Sequence, residues 1–230
     1  MTDAAETRHQ AVDQAITSRR SVRGFTRRPV RPEVVREVLA VASRAPSMTN
    51  TQPWRVHVLT SGARDRLSDE IRAAHEAGVH PEPEYPYYPQ EWASPYLDRR
   101  RQIGWALYGL LGIAKGDREA TAHQHRRNYD FFGAPVGMIF TLHRALRYGS
   151  YLDLGMFLQN IMVAARGRGL DTCPQAAFMN WHAIIRRQLA IPPEEIVVCG
   201  MALGFADAAD RANALVAPRE DVAAFAEFHA

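Results

Sequence analysis

The sequence predicts an α+β or three-layer α/β fold, and three observations predict it. Segments of helical and of strand periodicity alternate along the whole chain. One apolar helical stretch, 152–166, is uncharged for three turns and reads as a central helix. Four short apolar runs, at 54–60, 135–142, 170–173 and 196–203, read as strands. The 230 residues are 47% hydrophobic and 23% charged, so the chain is neither disordered nor collagen-like. At this length roughly 70% of the unfolded surface can be buried without a metal or disulfide staple. One domain over 1–230 is expected, with an excursion at 78–95.

Taken in order, Val12, Ile16 and their neighbours place a first helix that stops at the cluster 18–23. A second helix starts at Pro32, a good first-turn residue, and carries Val34, Val35, Val38, Leu39 and Ala42 at helical spacing. It ends before Pro46, because a proline pushes the residue before it out of the helical region. The run WRVHVLT at 54–60 alternates as a half-buried strand does, and Gly62 opens a polar helix to about Ala77. Five prolines and the aromatics Tyr85, Tyr87, Tyr88 and Trp92 exclude a regular element from 78–95. An aromatic loop of that length reads as a lid or as an arm embracing a partner. Helices are expected at 96–115, 117–131, 152–166 and 181–189, and strands at 135–142, 170–173 and 196–203. The tail 221–229 follows the last core strand, and its Phe225 and Phe228 need a surface to cover, for which a second copy of the chain is the natural source.

The 28 basic residues include a single lysine, Lys115, so 27 are arginines; against 25 acids the net charge is only +3. Genome composition accounts for most of them, yet arginine is also the side chain that grips phosphate with a planar fork. The N-terminal stretch is acidic without an apolar core, and nothing approaches the roughly 18 consecutive apolar residues of a membrane span, so a cytoplasmic protein is expected. Two cysteines, Cys173 and Cys199, make no disulfide framework.

Much familiar chemistry is missing. No GxGxxG follows a strand, and there is no Walker A loop, GxSxG elbow or HExxH. His123 and His125, two apart on a helix, point to different sides and suit solvent better than a metal. Cys199 reads as a small core residue, and Cys173 has no histidine near it in sequence to make it a nucleophile. Side chains alone supply no reaction; a bound cofactor would.

Four segments suit such a cofactor. Arg19, Arg20, Ser21 and Arg23 place three guanidiniums and a hydroxyl within five residues, a set suited to phosphate plus a second electron-rich group. The proline-bracketed loop APSMTNTQPW, with Pro46, Ser47 and Asn50, offers amides and hydroxyls to a polyol or heterocycle edge, although plain turn chemistry uses the same residues. The stretch GLDTCPQAAF, with Pro174, Gln175, Ala176 and Ala177, is small enough for a flat ring to approach its backbone. Last, GMALGFAD has glycines four apart, a pattern that marks close approach of another group, and is followed by Asn213 and Arg219.

In order and spacing, from residue 15 to residue 228, RRSVRGF, APSMTNTQPW, GLDTCPQAAF and GMALGFAD with its trailing arginine resemble the FMN-dependent nitroreductase family. The segment following 83 resembles its nitrobenzoate- and nitroarene-reducing branch. The resemblance implies a three-layer α+β fold, with a mostly antiparallel central sheet flanked by helices. It also implies a homodimer with FMN at the interface and a C-terminal extension over the partner. Arg19, Ser21 and Arg219 would hold the phosphate and ribityl end, with Arg20 in the same turn and Arg23 beside flavin N1 and the C2 carbonyl. Pro46, Ser47 and Asn50 would come from the other subunit. Pro174, Gln175, Ala176 and Ala177 would cross the isoalloxazine, with a backbone N–H near N5. Some members carry Glu-Gly where this chain has Ala176-Ala177, so the backbone role alone transfers. The implied activity is ping-pong hydride transfer from NADH or NADPH through flavin N5 to a small nitroaromatic, reduced through nitroso to hydroxylamine, without a side-chain general acid. Quinones, enones or halogenated phenols are the alternative acceptors on the same fold. From another class, the arginines could serve a nucleic-acid or other polyanion binder, but the interleaved Asp13, Glu33 and Glu37 break any broad basic face.

Overall fold

The computed structural model describes residues 2–229, and the side chains of residues 7–229. The elements in chain order are α1 (Thr2–Ser18), α2 (Pro32–Ala42), β1 (Arg55–Thr60), α3 (Ser61–Glu76), α4 (Tyr96–Leu111), α5 (Arg118–Arg126), β2 (Val136–His143), α6 (Tyr148–Arg166), β3 (Asp171–Gln175), α7 (His182–Gln188) and β4 (Glu195–Gly204). The strands lie in the order β1-β2-β4-β3 and every neighbouring pair is antiparallel. Between the two expected classes the antiparallel ladder decides for α+β.

Alternation along the central strands builds the three layers. Val136, Met138, Phe140 and Leu142 of β2 face one core with α2 and α6, while Ile139 faces the other core, with Leu67 and Ile71 of α3 and Ile185 of α7. With both faces covered, seven of the eight residues of β2 are buried. Burying one ring such as Phe140 contributes about 1.5–3 kcal/mol. The two glycines of β4 do mark close approach, but of core side chains: a Cβ on Gly200 would lie 2.4 Å from the Phe178 ring, and one on Gly204 2.6 Å from Pro135.

Several boundaries differ from expectation for local reasons. The helix expected over 96–115 stops at Leu111, because Gly112 adopts a left-handed φ of 72° and caps it. The helix expected over 117–131 stops at Arg126 and gives way to a turn in which Phe131 and Phe132 both have positive φ, bringing both rings into the core. Instead of starting at Leu152, the central helix α6 begins at Tyr148, and β3 continues through Pro174 to Gln175. A proline is tolerated there because β3 is an edge strand, where a missing ladder N–H costs little. The last helix is preceded by a 3₁₀ turn, Ala176–Trp181, and so starts one residue late, at His182.

The excursion at 78–95 has no regular structure, and its first part is sewn to the sheet. The β2–β4 register slips between Phe140 and Thr141, leaving Val198 unpaired as a bulge. Glu84 and Tyr85 satisfy the backbone there: the Val197 N–H donates to Glu84 Oε2 at 3.3 Å, and the Tyr85 hydroxyl donates to the Val198 carbonyl at 3.0 Å. Glu84 also pairs with Arg144 and, at 3.0 Å, with Arg186. These contacts hold the first part of the excursion against the sheet. Beyond it the exposed Tyr88 and Arg100 and the half-buried Trp92 form an aromatic and guanidinium cluster.

His57 on β1 provides a pH prediction. Burial lowers its pKa, against the opposing pull of Glu195, and Arg55 lowers it further. The unfolded chain thus binds a proton more readily than the folded one. This contribution to stability is complete above about pH 6.5 and is lost as pH falls through the lower folded value. Melting temperature should fall on acidification from about pH 7.5 to about 5.5, and His57→Gln should flatten the fall; an identical slope in the variant refutes the assignment.

Large apolar side chains remain exposed on the tail and on α6: Phe228 is 91% exposed, Phe225 71%, Tyr148 92% and Leu152 68%. Among the described residues no helix is long and apolar enough to cross a membrane.

Candidate functional site

The segment that leaves α1 runs beside the edge strand β3. Ser21 bridges to Thr172 in parallel register, the Val22 N–H donates to the Thr172 carbonyl at 3.1 Å, and Phe25 bridges to Ala206 beyond β4. Asn213, buried, holds the same segment from the other side. Its Oδ1 accepts from the Arg23 N–H at 2.7 Å, and its Nδ2 donates to the carbonyls of Gly24 at 2.7 Å and Asp207 at 2.9 Å. Gly24 is required by this packing, since a Cβ would fall 2.1 Å from Asp210 Oδ2, whose carboxylate pairs with Arg127 at 2.6 Å.

This arrangement opens a cavity of about 790 Å³ whose walls carry Arg19, Arg20, Ser21, Arg23, Arg166, Asp171 and Arg219. Five guanidiniums thus face a single carboxylate, and that carboxylate is taken: Asp171 pairs with Arg166 at 2.7 Å. Among the described residues no carboxylate pairs with Arg19, Arg20, Arg23 or Arg219. Arg219 instead donates to the carbonyls of Ala217 and Pro218, and Arg23 to that of Ser21. Burial first, and then the like charge of Arg219, pushes the Arg19 guanidinium below its ordinary pKa. Like charges gathered in a partly desolvated hollow favour an anion, which would relieve both effects. Cys173, behind this wall, is fully buried and its thiol is pushed up to about 11, mainly by burial, which makes it inert as a nucleophile. Cys199 is likewise a buried core thiol, pushed up to about 12 by burial.

Of the twelve residues proposed from sequence, the structure brings Arg19, Arg20, Ser21, Arg23 and Arg219 into one cavity. Pro174 and Gln175 end the strand that backs it, and Ala176 and Ala177 open the turn that follows, but none of the four lines it. Pro174 is exposed and Ala176 and Ala177 are half-buried, whereas the Gln175 side chain turns inward and donates to the Asn128 carbonyl at 2.7 Å. Any contact that Gln175 makes toward a ligand is therefore through its backbone.

Pro46, Ser47 and Asn50 are not brought there. Their loop sits over the early part of α6, where the buried Asp153 accepts weakly from the Met48 N–H at 3.3 Å. Arg166, at the cavity, lies about 20 Å further along the same helix axis. The loop is tightly wound, with Thr49, Asn50 and Gln52 at positive φ. Ser47 Oγ accepts from the Gln52 N–H at 3.0 Å, which leaves the serine proton free to donate outward.

Sequence reasoning missed Arg166, Ile103 and residues 215–217 as cavity walls, and Asn213 as the clamp. An arginine in the last turn of an apolar helix, followed five residues later by an aspartate, was the available signal for Arg166.

The family model described as "Nitroreductase family" matches residues 16–205. The chain is 44% identical over 199 residues to the nitrobenzene nitroreductase of Ectopseudomonas oleovorans, covering 85% of this chain and 87% of that one. It is 42% identical over 202 residues to the 4-nitrobenzoate reductase of Nocardioides sp. (strain LMS-CY), covering 86% and 82%. Among solved structures, the FMN-dependent nitroreductase NfnB of Mycobacterium smegmatis in complex with NADPH superposes with a TM-score of 0.92 at 29% identity, over 96% of this chain and 99% of that one.

Proposed function

Since the chain belongs to the nitroreductase family, we propose that it is a homodimeric, FMN-dependent NAD(P)H oxidoreductase whose acceptors are small nitroaromatic compounds. The observation that carries this reading is the cavity in which Arg19, Arg20, Arg23 and Arg219 stand without carboxylate partners among the described residues. The set fits FMN. A buried dianionic phosphate needs several charge-assisted donors, and Arg19, Arg20, Ser21 and Arg219 supply them. Arg23, on the same segment and fixed through its backbone by Asn213, would set a positive charge beside the ring, where the reduced form carries its negative charge. Each 1.36 kcal/mol of such preference changes an equilibrium about tenfold.

FMN, when bound, supplies two-electron chemistry between a reduced nicotinamide and an electron-poor ring. The chain's part is to bind, orient and shield. Ser47, whose oxygen accepts from the Gln52 N–H, would donate its hydroxyl hydrogen across the interface to the partner's cofactor, with Pro46 and Asn50 beside it. The distance of that loop from the cavity of its own chain supports a site shared between two copies, as do the exposed Phe225, Phe228, Tyr148 and Leu152. The small net charge of +3 and the absence of a membrane-spanning helix among the described residues support a small-molecule enzyme of the cytoplasm.

The test is direct. Purified protein should be yellow with one FMN per chain, have a dimer's mass by light scattering, and oxidise NADPH or NADH when nitrobenzene or 4-nitrobenzoate is added. Colourless protein that does not take up FMN overturns the reading, and a monomer carrying full flavin overturns the shared site.

A further inference from the structure

A second cavity, of about 420 Å³, adjoins the first and shares Ile103, Ala217 and Arg219 with it. Its far wall carries Arg100 of α4. The Arg100 guanidinium carbon lies 4.8 Å from the centre of the Trp92 ring and 5.2 Å from that of Tyr88, whose own centres are 6.0 Å apart. Tyr87 packs edge-on against Tyr88 at 4.8 Å. This platform belongs to the segment already pinned to the sheet bulge by Glu84 and Tyr85. Its neighbour Arg99 is spent on Glu220 at 2.9 Å, whereas among the described residues no carboxylate pairs with Arg100. A guanidinium stacked on rings is oriented, yet keeps its in-plane N–H donors free. That is the geometry for gripping a planar carboxylate or a phosphate in a bidentate way.

We propose that Arg100, seated on Tyr88 and Trp92, is a recognition site for an oxyanion carried by one of the small substrates. It rests on the flavoenzyme reading and deepens it. The oxyanion has two sources, the phosphate that distinguishes NADPH from NADH and the carboxylate that distinguishes a nitrobenzoate from nitrobenzene. Arg219 on the shared wall is assigned to the cofactor in the proposed function, which leaves Arg100 as the free guanidinium of the adjoining hollow.

The experiment measures kcat/KM in the intact enzyme for NADPH and NADH with one acceptor, and for 4-nitrobenzoate and nitrobenzene with one reductant, in wild type, Arg100→Gln and Arg100→Lys. Removing a charge-assisted bidentate contact should lower one of the two ratios about tenfold or more in Arg100→Gln. Arg100→Lys should recover part of it, because a point charge keeps the attraction but not the fork. A fall in the NADPH/NADH ratio identifies the phosphate, and a fall in the nitrobenzoate/nitrobenzene ratio the carboxylate. Both ratios at the wild-type value, with flavin retained, overturn the inference and leave the proposed function standing. Wild-type protein without flavin overturns both.

Discussion

Replacing Arg19 or Arg219 with Ala should release the flavin. In each case the loss removes a charged donor from the cavity where these two side chains converge. A hydrogen bond to a charged group contributes about 1.5–3 kcal/mol, so each variant should bind FMN about tenfold to a hundredfold more weakly. The double variant should not show the full product, because the two guanidiniums share one anion. Gel filtration followed by absorbance reads the result, and stoichiometric flavin retained in both single variants refutes the phosphate role. A second readout separates this from misfolding. Without ligand, Arg219 disfavours the charged form of Arg19, so removing either arginine relieves repulsion, and the flavin-free variants should melt no lower than the flavin-free wild type.

Asn213→Ala should damage both stability and cofactor binding. Asn213 is 4% exposed and closes three hydrogen bonds to backbone groups of Arg23, Gly24 and Asp207. The Gly24 carbonyl keeps a second donor, the Asp207 N–H at 2.9 Å, so the loss is smaller than three independent bonds. About 2–4 kcal/mol is expected, a fall in melting temperature of roughly 4 to 16 °C for a chain of this size. FMN affinity should fall as well, because Arg23 is oriented through the N–H that Asn213 holds. Asn213→Asp should not rescue: it keeps an acceptor for Arg23 but sets a carboxylate against two carbonyls. Wild-type melting in Asn213→Ala would show that the bridges at Ser21 and Phe25 hold the segment without the clamp.

The helix of 32–42 and the alternation of 55–60 were legible because periodicity and a first-turn proline act over a few residues. The end of α4 was misplaced although Gly112 stood in plain view, since glycine caps a helix only where packing asks the chain to turn. Pro174 suggested the end of a strand; its tolerance inside β3 depends on that strand lying at the sheet edge. In the same way the glycines at 200 and 204 announced close approach without saying of what, and the answer was Phe178 and Pro135.

By itself, the sequence determined most of the elements, their interleaving, and the cluster of arginine and serine that any phosphate site on this chain would use; the antiparallel pairing that makes the class α+β came from the tertiary structure. The sequence did not determine which arginines meet. Arg219 joins Arg19 across some two hundred residues, Asn213 reaches back 190 residues to Arg23, and Tyr85 caps a bulge 113 residues away. It was the fold that set Arg100 over the Tyr88 and Trp92 rings. Local propensity is decided by neighbours along the chain, but a charge or a hydrogen bond acts only over a few ångströms of space, and that proximity exists only once the sheet and its two helical layers have formed.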